Sequence, residues 1–102
     1  MDYNVISISA RYQDTSIFNE RTPRFDRLKN PQMYHLARAG RLFDDGKIDQ
    51  LFIDLADGST WSLYNSRDFN GYNCKHVLAD GTHEYCSEYG RHLIYRLTGR
   101  MV

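Results

Sequence analysis

Absences narrow the field first. No run of residues is apolar enough over the roughly 20 positions a membrane-spanning helix requires, so a spanning helix is not expected. The opening MDYNVISISARY lacks a basic segment followed by an apolar one. A secretory signal is therefore not expected either, and a cytoplasmic location is the default expectation. Only two cysteines are present, too few for a framework of bridges, and in a reducing compartment both would stay as thiols. There is no phosphate-binding glycine loop, no dinucleotide fingerprint, no HExxH and no nucleophile elbow. Without these the residues point to no catalytic chemistry and no cofactor.

An excess of one charge is missing too: 13 Lys and Arg balance 13 Asp and Glu. A strongly basic total would favour nucleic acid as a partner, and this chain does not have one. The balance is local, however. Residues 11–41 carry seven Lys and Arg against three acidic residues, a net +4, whereas residues 42–82 carry three against seven, a net −4. Opposed patches of this kind suit a protein partner or a homodimer that pairs unlike surfaces.

What is present fits a single small α+β domain over residues 1–102. Hydrophobic residues make up 41% and charged residues 25%, the balance of a globular chain. Residues 3–12 alternate, with Ile6, Ile8 and Ala10 on one side, which predicts a strand facing the core through those three. Residues 13–29 have no period and read as a long loop. Asn30-Pro31 reads as a helix start, with Asn30 as the cap and Pro31 in the first turn. Met33, Leu36, Ala37, Gly40 and Phe43 then form one stripe, and Asp44-Asp45-Gly46 ends it.

The string LADG occurs twice, in DLADGSTW and VLADGTHE. Ala-Asp-Gly suits a three-residue hairpin loop whose last residue is left-handed. With 56–58 as the loop, Ile53 faces Trp61 and Leu51 faces Leu63, so the apolar residues share a side. A slip of one residue would send Trp61 to the other side. The opposite side then carries Phe52, Asp54, Thr60, Ser62 and Tyr64. The same register at 79–81 sets His76 opposite Glu84 and Cys74 opposite Cys86. It leaves His83 on the other side.

Residues 83–98 support two readings. The hairpin register makes the first of them a strand, while Tyr85, Cys86, Tyr89, Leu93, Leu97 and Met101 have helical spacing with Gly99 as a stop. A C-terminal helix is the expectation adopted. The fold expected is an antiparallel sheet of an N-terminal strand and two hairpins, one helix after the first strand and one C-terminal helix.

Three constellations bear on function. The segment joining the hairpins, YNSRDFNGYN, mixes aromatic and adaptable polar residues, the composition of protein-binding surfaces. Tyr64, Arg67, Asp68, Phe69 and Tyr72 are its candidate contacts. The alternative is nucleic-acid binding through Arg21, Arg24, Phe25, Arg27 and Lys29, cations that meet phosphates beside a ring that stacks on a base. The metal alternative is a zinc site of Cys74, His76, His83 and Cys86, whose C-x-H and H-x2-C spacing departs from the usual ligand pairs. A small metal-independent ribonuclease using His, Arg and Tyr side chains is the remaining reading. The expectation is a non-enzymatic protein-binding module, an inhibitor or adaptor, of the kind that phages and mobile elements encode.

Overall fold

The computed structural model describes residues 4–12, 28–65 and 71–100. Strands β1 (Val5–Tyr12), β2 (Leu28–Lys29), β3 (Ile48–Leu55), β4 (Thr60–Tyr64), β5 (Cys74–Val77) and β6 (His83–Cys86) form one antiparallel sheet in the order β2-β1-β3-β4-β5-β6. Helix α1 (Met33–Asp44) follows β2, and α2 (Gly90–Thr98) follows β6. This is the α+β arrangement that the alternation and turn signals imply.

Both LADG turns close as their chemistry requires. Gly58 and Gly81 take φ of 89° and 90°. The chain returns through Leu55 N–H to Ser59 O (2.9 Å) and Leu78 N–H to Thr82 O (2.8 Å). The register is Leu51 opposite Leu63, Ile53 opposite Trp61, His76 opposite Glu84 and Cys74 opposite Cys86.

These pairings extend across the sheet as rows that alternate between its faces. Leu28, Ile8, Ile53, Trp61, His76 and Glu84 form one row of the packed face. Ala10, Leu51, Leu63, Cys74 and Cys86 form the next. Against them lie Leu36, Ala39 and Phe43 from α1 and Leu93 and Ile94 from α2, all buried in one core. Both described helices thus cover the same side.

Four details depart from the expectation. Ile6 does not face the core. The register shifts between Val5 and Ser7, so Ile6 is the extra residue of a β-bulge. Val5 is buried in its place, beside Ile8, which faces the core as expected, while Ile6 is 46% exposed. Its carbonyl accepts the Asn30 N–H at 2.8 Å. Asn30 is accordingly no cap: held against β1, it turns the chain with φ 52°, a conformation Asn tolerates better than most residues. The cap is Gln32, whose N–H donates to His35 Nδ1 at 3.0 Å. Residues 28–29, placed in the loop by their lack of period, pair with β1 as β2.

The last departure is the start of α2. Residues 83–86 are strand, and the helix begins at Gly90 and stops where expected, at Gly99 with φ 74°. Gly40 and Gly90 look like weaknesses of a helix, yet they mark the place where α1 and α2 cross. A methyl group on Gly90 would lie 2.7 Å from the Gly40 carbonyl oxygen. The first turn of α2 is capped from outside its own segment, a need set by its unpaired N–H groups. Gly90 N–H and Arg91 N–H donate to the Asp44 carboxylate at 2.6 and 3.1 Å, and Arg91 Nε adds a third bond at 3.1 Å.

Candidate functional site

The side of the sheet that no described helix covers, here called the open face, is built from the alternate rows. Lys29, Ser7, Asp54, Thr60, Val77 and His83 form one. Ser9, Phe52, Ser62, Lys75 and Tyr85 form the next, and Arg11, Gln50 and Tyr64 a third. Small hydroxyl residues sit between the rings, and Ser7 and Ser62 are buried at the floor. Phe52 and Tyr64 stand edge to face with centroids 6.1 Å apart. Three cations, Arg11, Lys29 and Lys75, share these rows with one carboxylate, Asp54, a net +2 on a chain that is neutral overall. Asp54 is held internally: Ser7 Oγ donates to one oxygen at 2.7 Å and Thr60 Oγ1 to the other at 2.9 Å.

Tyr64 also borders a cleft of about 350 Å3, where the ends of α1, β4 and β5 meet the start of α2. Asparagines shape its walls. Asn65 Nδ2 donates to Phe43 O (3.1 Å) and to Ile48 O. Asn73 clamps Glu88 through its backbone, donating to Glu88 O at 2.8 Å and accepting from Glu88 N–H at 2.9 Å. The Glu88 side chain is only 7% exposed, pairs with Arg96, and lies 3.7 Å from His92 Nδ1. This cluster escapes a search for motifs, though Glu88, His92 and Arg96 follow the i, i+4 spacing that places side chains together on a helix face. Its effect is to tie the segment before α2 to the body of that helix.

Of the candidate protein contacts, Tyr64 stands on the open face at the cleft, and Tyr72 is 46% exposed beside β5. Arg67, Asp68 and Phe69 lie outside the described residues. Of the candidate nucleic-acid contacts, Lys29 is exposed on β2 in the open-face rows, and Arg21, Arg24, Phe25 and Arg27 lie outside the described residues.

The Cys and His constellation divides between the two faces. Cys74 and Cys86 are free thiols directly opposite one another on the packed face, and His76 shares that face. His83 belongs to the open face, so the four side chains do not converge. Among the described residues, no group of three or more His, Cys, Asp or Glu side chains is placed to hold a metal ion. His76 instead stacks on Trp61, with ring centroids 3.9 Å apart and planes 7° from parallel, and Nδ1 lies 3.3 Å from Glu84. The Arg96 guanidinium lies 5.3 Å from the Trp61 ring centroid. Burial, and then the neighbouring Cys86 thiol, push the Cys74 thiol well above its ordinary value. It therefore remains protonated and a poor nucleophile.

The four histidines occupy separate places: His35 at the start of α1, His76 against Trp61, His83 on the open face and His92 beside Glu88. Comparison with protein-family models, curated proteins and solved structures gave no match.

Proposed function

We propose that this chain is a small non-enzymatic protein-binding module that covers a partner's surface, as an inhibitor or adaptor does. The supporting observation is where large side chains are left exposed. Of the large side chains left exposed, Tyr72, Leu78, Tyr85, Tyr89 and Tyr95 follow β4, in the β5–β6–α2 part of the chain, while Ile6 and Tyr34 precede it. Tyrosine joins large contact area to a polar tip at little entropic cost, which is why it dominates paratopes and binding hot spots. The cleft beside Tyr64 and Tyr89 offers a concave seat for a partner's protruding side chain. On this reading the protein acts in the cytoplasm on a protein partner.

Tyr72→Ala and Tyr89→Ala test the proposal, because both residues are exposed. A partner captured from lysate and measured in purified form should lose about 2 kcal/mol of affinity, near 30-fold, with either change. The melting temperature should stay within a few degrees of the parent. A partner bound equally well by both variants removes this surface from the interface.

A further inference from the structure

We infer that the open face of the sheet is a binding platform for single-stranded nucleic acid. It is a second surface, which meets the first at Tyr64 and Tyr85, and it rests on the face's own composition. Phe52 and Tyr64 place two adjacent rings on the central strands, 6.1 Å apart. Around them stand Arg11 on β1, Lys29 on β2 and Lys75 on β5, so cations flank the rings on both sides. The one carboxylate in these rows, Asp54, is already held by two hydroxyl groups.

Rings in the middle with cations around them match the chemistry of an unpaired strand, whose bases offer flat π faces and whose backbone carries one negative charge per nucleotide. Rows on one face are two residues apart, roughly 7 Å, comparable to one step of an extended strand. A duplex keeps its bases stacked on each other and offers nothing to the rings. An acidic protein surface would satisfy the cations but set its carboxylates against the electron-rich faces of the rings. The neutral total of the chain does not oppose this, because binding responds to local charges, and the rows of this face carry three cations against one carboxylate.

The test uses the full chain and a fluorescein-labelled oligouridine of about a dozen nucleotides, a length within the usual site sizes, read by fluorescence anisotropy. Three phosphate contacts at about 0.7 per contact give a log–log salt slope near −2, hence about 20-fold weaker binding at 200 than at 50 mM salt. Lys75→Glu and Arg11→Glu should each weaken binding at least tenfold and flatten that slope, with an unchanged circular dichroism melt. Phe52→Leu, which keeps an apolar side chain but removes the ring, should weaken binding roughly tenfold with little change in slope. Three results overturn the inference: no binding of the oligomer at 50 mM salt, equal binding of a duplex of the same length, or binding indifferent to both charge reversals. Where the first of these holds, loss of a protein partner on Lys75→Glu assigns the face to a protein.

Discussion

The two hairpins share one turn and meet different fates. At each, the loop aspartate accepts two bonds from the residue two positions on. Asp57 Oδ1 takes Ser59 N–H (2.8 Å) and Oγ (2.5 Å), and Asp80 Oδ1 takes Thr82 N–H (2.9 Å) and Oγ1 (2.6 Å). The glycines have the same φ within a degree. Beyond the loops the likeness stops. Strands β3 and β4 lie inside the sheet and bury Leu51, Ile53, Trp61 and Leu63. Strands β5 and β6 lie at the end of the sheet order, and their hairpin leaves Leu78 beside the loop and His83, Glu84 and Tyr85 on β6 exposed. Local chemistry specifies how the chain reverses, and the side chains beyond the loop decide whether the hairpin becomes core or surface.

The largest expected effect separates the hairpins most clearly. Ile53→Ala removes a fully buried side chain between β1 and Trp61 and should cost about 2–5 kcal/mol. In a chain of this length that lowers the melting temperature by more than about 10 °C. Leu78→Ala, at a side chain 38% exposed, should cost no more than about 0.5 kcal/mol. Thermal melts of both variants check the pair. Equal losses would mean that the outer hairpin is packed as tightly as the inner one, and the contrast would fail.

Why some of this can be read from the chain follows from the same contrast. The inner register is legible because four apolar residues match on one side only if the loop has three residues. The outer register is legible by analogy, as the turn is repeated, although His76 and Glu84 supply no apolar match. The bulge at Ile6 is not legible, since Ile-Ser-Ile mimics plain alternation while the pairing that reveals the extra residue, Val5 with Leu55, spans 50 positions. The Asp44 cap of α2 is hidden for the same reason, spanning 46 positions to Gly90. Gly40 and Gly90 mislead locally because their value lies in the crossing of two helices. The open face is present in the sequence as the complement of the core residues, yet its sign of charge emerges only when Arg11, Lys29 and Lys75 are brought together from three strands.

A smaller effect distinguishes the turns themselves. Alanine at Gly81 meets nothing within 4 Å and carries only the strain of a left-handed side chain, about 1 kcal/mol. Alanine at Gly58 carries that strain and also brings its Cβ to 3.2 Å from the Ala79 Cβ, because the tip of one hairpin touches the other. Gly58→Ala should therefore be the more harmful of the two. Adding Ala79→Gly should return it to the cost of Gly81→Ala beyond whatever Ala79→Gly costs alone. A double-mutant cycle by denaturant titration measures the coupling. A coupling of zero would show that the two tips do not constrain each other.

The finest distinction is electrostatic. Bonds from the Ser59 side chain and backbone hold the Asp57 carboxyl below its ordinary value of 3.8, with added attraction from nearby His76. Thr82 acts likewise on Asp80, with no histidine among the causes. In each case the folded value lies below the unfolded one. The unfolded chain then binds the proton more readily, and stability rises with pH through this range. The contribution is complete above about 3.8 and is lost as the pH falls through the lowered folded value. Asp57→Asn and Asp80→Asn keep an acceptor oxygen but cannot titrate, so each should flatten the fall in stability between pH 5 and 2.5. His76→Gln removes an attraction that only Asp57 feels, so it should weaken the part of that fall carried by Asp57 and leave the part carried by Asp80 as it was. If the Asp57 part is the same without His76, the neighbouring strand does not act on that loop.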